Sequence, residues 1–144
     1  MTDEAETTPS ATVVLLRDGE ELELLLMQRA GRKGKPGAWV FPGGRVEPHD
    51  VREGDPRSEA SARLAGVRET AEESGLAIDH LELGTISRWI TPPVSPRRFD
   101  TWFFVGVVES DAPVRPDGEE MVDHRWLSPR TAPVSYTHLT LPTI

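Results

Sequence analysis

The chain has 144 residues, a formal net charge of −8 and 37% hydrophobic residues, which is the composition of one acidic globular domain with a buried core. No basic stripe of the kind that indicates a nucleic-acid binder dominates the sequence, and the absence of Cys excludes a disulfide framework and thiolate zinc sites. No apolar run approaches the ~18 residues of a membrane span, and the acidic start lacks the features of a signal peptide, so we expect a cytoplasmic protein.

The first ten residues are polar, and we expect them to form a disordered tail. Two apolar runs follow at residues 12–16 and 22–27, and the Asp18-Gly19 pair between them is a hairpin signal. These runs therefore predict two antiparallel strands. A third short strand is expected at residues 39–41.

Residues 28–37 form a Gly-rich loop with four basic side chains, which are Arg29, Arg32, Lys33 and Lys35. One interpretation is a solvated loop that only improves solubility. The other is a local positive field that attracts an anionic substrate to an acidic protein. Under the second interpretation Arg29 is the preferred substrate-binding residue, because it ends the second strand.

Pro42-Gly43-Gly44 ends the third strand sharply. Two consecutive glycines allow the backbone to approach a ligand closely, so the carbonyl group of Gly43 can face a cation.

A helix is predicted next, with Asp55 as its N-cap, Pro56 in the first helical position and Gly75 just beyond its end. Four residues at helical spacing predict its buried stripe, namely Ala60, Leu64, Val67 and Ala71.

Glu69, Glu72 and Glu73 fall together on another face of the same helix. Like charges at this spacing repel, and acidic groups in a last turn oppose the helix dipole. A divalent cation with oxygen ligands, Mg²⁺ or Mn²⁺, would compensate this charge. The alternative is an ordinary solvated acidic face.

Further strands are expected at residues 85–90 and 101–108, the second being apolar enough for a central strand buried on both faces. Arg97 and Arg98 lie between them and could bind a phosphate group, or could be charges at the edge of the sheet. The last short strand is expected within residues 119–127.

The segment around the acidic helix resembles the Nudix box of the Nudix hydrolases, G-x5-E-x7-R-E-U-x-E-E-x-G-U with U aliphatic, at Gly44, Arg68-Glu69, Glu72-Glu73 and Gly75-Leu76. Gly44 and Arg68 are separated by 23 residues where the family pattern has 13, so the box is lengthened by ten. The first box glutamate is replaced by Asp50 when counted from Gly44, or by Ala60 when counted back from Arg68.

The resemblance implies an α/β fold, an α/β/α sandwich around a mixed sheet. It also implies a Mg²⁺- or Mn²⁺-dependent hydrolase of a small-molecule nucleoside diphosphate derivative. The lengthened box and residues 89–104 resemble the branch of peroxisomal coenzyme A diphosphatase and its bacterial relatives, so coenzyme A or an acyl derivative is the expected substrate. ADP-ribose or another dinucleotide is the alternative, and a non-catalytic Nudix-like nucleotide-binding module is the rival from another class.

The same resemblance implies roles for individual residues. The expected metal ligands are Gly43, Glu69, Glu72 and Glu73, and Arg68 is expected to orient a glutamate. Glu69 is the first candidate for the general base. Glu120, which precedes the last strand, is the second.

Residues 134–144 differ in character from the rest of the chain, because they contain no charged side chain. They resemble one reading frame of a sequencing adapter, so we expect a non-native tail there and a Nudix domain over residues 11–133. The helix that normally follows the last strand in this family is then expected to be missing.

Overall fold

The computed structural model describes residues 7–130, which form a seven-stranded mixed sheet with one α-helix against it. The elements in chain order are β1 (Thr8–Asp18), β2 (Leu22–Arg29), β3 (Trp39–Val40), β4 (Gly43–Arg45), a 3₁₀ turn (Pro48–Asp50), α1 (Glu59–Ser74), β5 (Gly84–Ile90), β6 (Phe99–Val107) and β7 (Met121–Leu127).

Strand β1 is the axis of the sheet. Along one side it pairs in parallel with β6, from Thr8 opposite Phe99 to Leu16 opposite Val107. Along the other side it pairs antiparallel with β4 at its start and with β2 at its end. β5 extends the sheet beyond β6, and β7 pairs with the outer side of β2. The expected mixed sheet is confirmed, and β1 brings β4 and β6 side by side.

Several local predictions are confirmed. The Asp18-Gly19 segment joins β1 and β2 as an antiparallel hairpin, with Asp18 opposite Leu22. The apolar run at residues 101–108 lies almost entirely within β6, which is central between β1 and β5, and Phe104 there is fully buried. The hairpin signal and the apolar run were sufficient because both effects are local in sequence.

The predicted start of the helix is wrong. α1 begins at Glu59, and its N-cap is Ser58, whose hydroxyl accepts a hydrogen bond from the backbone N–H of Ser61. Asp55 instead accepts the backbone N–H of Arg57 and shapes the turn before the helix. The predicted end is confirmed, because Gly75 has a left-handed backbone with φ 76° and donates its N–H to the Ala71 carbonyl group.

The predicted buried face of the helix is also wrong. Ala60, Leu64 and Val67 are only half-buried and Ala71 is exposed. The residues that face the sheet are small or polar instead: Ser61, Ala62, Ala65, Gly66, Thr70, Glu73 and Ser74. Small side chains allow the helix to approach β1 closely, and a Cβ atom on Gly66 would lie 2.9 Å from Cγ2 of Val13.

A buried carboxylate joins β5, β6 and the segment before α1. Asp100 of β6 is 1% exposed, and both of its oxygens accept hydrogen bonds from the Arg88 guanidinium group at 2.8 and 2.7 Å. Arg57 approaches the same carboxylate at 3.9 Å, and its backbone carbonyl accepts the indole N–H of Trp102 at 3.0 Å. These contacts fasten the lengthened part of the box to the sheet.

Strand β1 starts at Thr8, so residues 8–10 extend the sheet beyond the boundary that the sequence predicted at residue 11. The extension arises because Thr8, Pro9 and Ser10 pair with β6. Predictions for residues 1–6 and for the tail and missing helix after residue 130 lie outside the described residues. Within the described residues, no helix has the length and apolar character needed to cross a lipid bilayer.

The close approach of α1 to β1 predicts the effect of adding volume at Gly66. We expect Gly66→Val to lower the free energy of unfolding by about 1–3 kcal/mol, because its side chain collides with Val13. The matched substitution Ala71→Val, on the exposed face of the same helix, should cost less than about 1 kcal/mol. Urea denaturation of both variants measures the difference, and equal losses would contradict the packing proposed here.

Candidate active site

A cavity of about 660 Å³ opens at the edge of the sheet where the Gly43-Gly44 turn, the end of α1 and the loop between β5 and β6 meet. Its lining includes four glutamates, Glu47, Glu69, Glu73 and Glu120, and three arginines, Arg29, Arg45 and Arg97. The cavity therefore combines a concentrated negative charge with separate positive groups. This is the combination that binding a metal ion together with an anionic ligand requires.

Three carboxylates meet in this cavity. One oxygen atom from each of Glu69, Glu73 and Glu120 lies within 4.8 Å of the other two. Glu69 and Glu73 come from successive turns of α1, and Glu120 comes from the residue before β7. Because β7 pairs with β2, the sheet brings Glu120 to the helix across a long stretch of sequence.

The Gly43-Gly44 turn is fitted to this cluster. The backbone N–H of Gly43 donates to Oε1 of Glu73 at 3.0 Å, and the φ angle of Gly43 is 155°. A Cβ atom on Gly44 would lie 2.5 Å from the carboxyl carbon of Glu69. Glycine is therefore needed here for space, since any side chain on Gly44 would displace Glu69.

Arg68 joins the cluster to the 3₁₀ turn. Its Nη2 donates to Oδ2 of Asp50 at 2.9 Å and to the Arg45 carbonyl at 3.1 Å, and its Nη1 donates to Oε1 of Glu69 at 2.6 Å. Asp50 is 3% exposed and also accepts the backbone N–H of Glu47 at 2.9 Å. We call the Asp50–Arg68–Glu69 chain of contacts the arginine clamp.

The arginine clamp favours one of the two candidates for the place of the first box glutamate. Counting from Gly44 gave Asp50, and Asp50 is the residue that the Arg68 guanidinium group contacts. Ala60, the other candidate, is the second residue of α1 and has no polar side chain. The ten added residues therefore lie between Asp50 and Arg68, and the eight residues 51–58 form the segment that precedes α1.

Burial and crowding change the pKa values of the acidic groups. Burial raises the pKa of Glu73 to about 8, and the negative charges of Glu69 and Glu120 act in the same direction. Burial also raises the pKa of Glu69, although Arg68 opposes that change. For Asp50, burial is outweighed by hydrogen bonds from Arg68 and the Glu47 backbone, which lower its pKa. Ionising Glu69 and Glu73 is therefore costly. The Asp50 carboxylate, which holds Arg68, is favoured in its ionised form.

Two of the three predicted substrate-binding arginines line the cavity. Arg97 reaches it from the loop between β5 and β6, and Arg29 lies at the end of β2, close enough to Glu73 to lower the pKa of that group. Arg98 does not line the cavity. It is buried, and its Nε and Nη2 donate to the Thr91 carbonyl at 3.2 and 3.1 Å, so it fastens the loop that carries Arg97.

The structure does not bring Glu72 into the carboxylate cluster. Its side chain is 58% exposed and lies 3.3 Å from Nη1 of Arg68. Its predicted role as a metal ligand stays a prediction. The sequence analysis did not predict Arg45 as a site residue, yet Arg45 lines the cavity. It directly follows the Gly43-Gly44 turn, which the sequence analysis did predict. Its position beside that turn was the available signal.

The donor set fits a divalent cation such as Mg²⁺ or Mn²⁺. Carboxylate oxygens are the ligands that these hard cations prefer, and three of them already converge. Burial raises the pKa of Glu73, and a cation bound to its carboxylate would stabilise the ionised form. Glu69, Glu73 and Glu120 are therefore the residues placed to hold such an ion.

Comparison with known proteins agrees with this fold. The sequence model of the NUDIX domain matches residues 6–141. The chain therefore belongs to the Nudix family.

Two curated relatives give a finer view. "Putative nudix hydrolase 7" of Caenorhabditis elegans is 28% identical, with 84% of this chain and 51% of that protein covered. "Acyl-coenzyme A diphosphatase NUDT19" of Xenopus laevis is 23% identical, with 81% and 55% covered. The chain thus spans about half the length of these two relatives.

Solved structures share the fold. A NUDIX hydrolase from Alicyclobacillus acidocaldarius superposes with a TM-score of 0.75 at 25% identity, covering 96% of this chain and 88% of the other. The NUDIX domain of Shewanella oneidensis NrtR, complexed with ADP ribose, gives 0.67 at 14% identity, covering 94% and 79%.

The arginine clamp predicts that Asp50 supports metal binding without touching the metal. We expect Asp50→Asn to weaken Mn²⁺ binding by about 10- to 100-fold, because Arg68 loses its charged partner and no longer fixes Glu69. Calorimetric titration with Mn²⁺ measures this effect. Glu53→Gln, in the exposed loop that follows, is the matched control and should bind Mn²⁺ like the unaltered chain. Unchanged affinity in Asp50→Asn would contradict the clamp.

The raised pKa of Glu73 predicts how the stability of the folded chain depends on pH when a chelator keeps the solution free of metal ions. Between its unfolded value of 4.5 and its folded value of about 8, the folded chain retains a proton that the unfolded chain releases. Stability should therefore fall as pH rises from about 5 to 8. Glu73→Gln should remove most of this slope and raise the melting temperature at pH 8. Thermal denaturation by circular dichroism tests this, with Glu82→Gln, on an exposed glutamate, expected to keep the slope.

Proposed function

We propose that the protein is a metal-dependent hydrolase that cleaves the diphosphate linkage of a nucleoside diphosphate derivative. The observation that carries this proposal is the convergence of Glu69, Glu73 and Glu120 within 4.8 Å in a cavity that arginines also line. A binding module without catalysis has no need for three carboxylates that repel one another. A hydrolase that binds a metal and a diphosphate needs both charges.

Each part of the cavity has a task in this proposal. Bound Mg²⁺ or Mn²⁺ supplies a positive charge to the diphosphate and acidifies a water molecule. Glu69, Glu73 and Glu120 hold the ion, with Gly43 and Glu72 as further candidates. Arg68 orients Glu69 through the arginine clamp and does not itself line the cavity. Arg29 and Arg97 bind the negative charge of the substrate from two sides.

The general base is assigned to Glu69, with Glu120 as the second candidate. The arginine clamp fixes the orientation of the Glu69 carboxylate, and Glu69 lines the cavity. Glu120 is exposed. In the reaction, a water oxygen bonds to a phosphorus atom, the bridging P–O bond breaks, and the water proton passes to the carboxylate.

Among diphosphate substrates we favour coenzyme A and its acyl derivatives. Support comes from the lengthened box, from the branch resemblance at residues 89–104, and from the relative described as an acyl-coenzyme A diphosphatase. A cavity of about 660 Å³ has the volume of a typical small-molecule site. Cleavage of coenzyme A would give a phosphopantetheine and an adenosine bisphosphate.

ADP-ribose or another dinucleotide is the alternative substrate. The NUDIX domain of NrtR, which shares the fold, was solved with ADP ribose. The two substrate classes share the adenosine diphosphate portion, so the same carboxylates and arginines would serve both. The difference must lie in contacts with the remainder of the molecule.

The test is a substrate panel of coenzyme A, acetyl-coenzyme A, ADP-ribose and a dinucleoside polyphosphate, each with and without Mn²⁺. We expect Mn²⁺-dependent cleavage of the two coenzyme A compounds, and chromatography of the products measures it. Glu69→Gln should lower kcat by at least about 100-fold, because it removes both a metal ligand and the proposed base. Glu82→Gln is the charge-matched control on the surface.

Each result of this panel has a definite meaning. Cleavage of ADP-ribose or the dinucleotide alone would retain the hydrolase and discard the coenzyme A assignment. Nucleotide binding with neither cleavage nor Mn²⁺ binding would favour the non-catalytic module. Normal turnover by Glu69→Gln would remove Glu69 from both proposed roles.

A further inference from the structure

An ordered turn with three exposed basic side chains stands beside the cavity. It consists of residues 30–37, and we call it the basic hairpin. Arg32 and Lys35 exchange two backbone hydrogen bonds, of 3.1 and 2.9 Å, around Lys33 and Gly34. Those two central residues have φ angles of 50° and 76°, the left-handed values of a tight two-residue turn. The basic hairpin therefore has a defined shape.

The base of the basic hairpin is part of the cavity wall. Arg29 and Ala38, which flank it, both line the cavity, and the Arg29 N–H donates to the Ala38 carbonyl at 2.9 Å. The Ala30 N–H donates to the carbonyl of Glu120, a member of the carboxylate cluster, at 2.8 Å. The base is thus hydrogen-bonded to the backbone of Glu120, which is one of the three proposed metal ligands.

The three cations have no anionic partner in the described part of the chain. Between residues 7 and 130, no ion pair or side-chain hydrogen bond involves Arg32, Lys33 or Lys35. The chain carries a net charge of −8, so acidic partners are abundant. A cluster of exposed cations on such a protein has the charge to bind a further anion.

That anion would be different from the diphosphate. Arg29 already lies near Glu73, whereas Lys33, at the tip of the basic hairpin, is four residues further along the chain. A diphosphate bound at the carboxylates would engage Arg29 and Arg97. Lys33 and Lys35 are exposed and do not line the cavity, so they are available to a negative group on a part of the ligand that extends beyond the diphosphate.

We propose that the basic hairpin is a binding site for a second phosphate group of the substrate, a phosphomonoester separate from the diphosphate that is cleaved. This inference rests on the proposed function, since it names a property of the substrate of that same cavity. Lys ammonium groups bind phosphates as point charges, and contacts with ionised groups are the stronger hydrogen bonds. The site would select substrates that carry this additional phosphate.

The competing explanation is general attraction, in which the cations accelerate the approach of every anionic ligand. The two explanations differ in one ratio. A specific site changes the preference between two substrates that differ only by the phosphomonoester. General attraction changes the rates for both substrates in a similar way.

The experiment compares kcat/KM for coenzyme A and for 3′-dephospho-coenzyme A, which lacks only the phosphomonoester, using the full chain with Mn²⁺. The test variant combines Lys33→Asn, because asparagine tolerates a left-handed backbone, with Lys35→Gln. The control combines Arg115→Gln with Arg130→Gln, two exposed arginines that do not line the cavity. Both double variants remove two positive charges, and circular dichroism confirms that each is folded.

We expect the unaltered chain to prefer coenzyme A by about tenfold, which corresponds to one good charged contact at about 1.4 kcal/mol. The test variant should bring the ratio close to one by losing activity on coenzyme A alone, while the control keeps the preference. If the test variant keeps the kcat/KM ratio of the unaltered chain, or loses activity equally on both substrates, the phosphate-site proposal is overturned. Cleavage of 3′-dephospho-coenzyme A in that case would still leave the proposed function intact.

A binding measurement separates failure of this inference from failure of the proposed function. Calorimetry compares adenosine 3′,5′-bisphosphate with AMP, and neither compound has a diphosphate to cleave. If the chain hydrolyses neither coenzyme A compound, the proposed function fails. Tighter binding of the bisphosphate that the test variant abolishes would still support the phosphate site, and equal binding of the two compounds would overturn it.

Discussion

The main physical constraint on this structure is that three carboxylates lie close together at the end of α1. Glu69, Glu73 and Glu120 repel one another, and α1 has no basic residue in its last turn to offset its dipole. Neighbouring groups limit this cost. The Gly43 N–H stabilises Glu73, Gly44 leaves room for Glu69, and Arg68 neutralises part of the charge. The repulsion that remains between the three carboxylates can be relieved by a divalent cation.

The arginine clamp connects the 3₁₀ turn at Asp50 with Glu69 of the carboxylate cluster. Asp50 is fixed by the 3₁₀ turn, Arg68 is fixed by Asp50, and Glu69 is fixed by Arg68. The ten residues that lengthen the box come after Asp50, so they do not disturb this chain of contacts. A segment of variable length can lie between the two halves of the box because side-chain contact, and not sequence spacing, joins them. The contacts of Arg57 with Asp100 and Trp102 fasten that segment to the sheet.

The sequence predicted what local chemistry determines. The β1–β2 hairpin, the central β6 strand and the helix end at Gly75 follow from short signals, and all are observed. The helix start was missed because Asp55 and Ser58 are both good caps, and only the position of the preceding turn decides between them. The helix face was missed because its buried side is made of small and polar residues, so apolar periodicity indicates the wrong side.

Long-range pairing decided the remainder of the site. Glu120 lies by Glu73 because β7 pairs with β2, and the choice between Asp50 and Ala60 depended on where a turn packs. Adjacent arginines in the sequence have different surroundings, since Arg97 lines the cavity whereas Arg98 fastens the loop at Thr91. Spacing within a helix likewise could not show that Glu72 remains largely exposed beside Arg68.

The loop fastened by Arg98 has an evolutionary consequence. Part of the cavity lining, with Thr91, Ser95 and Arg97, comes from this loop, and another part comes from Arg29 and Ala38, which flank the basic hairpin. Neither loop contributes a carboxylate to the cluster. Mutations in these loops can therefore alter which molecule is accepted while leaving the acidic centre unchanged. Such a division of labour allows a lineage to acquire new substrates through loop exchange, with its core chemistry inherited intact.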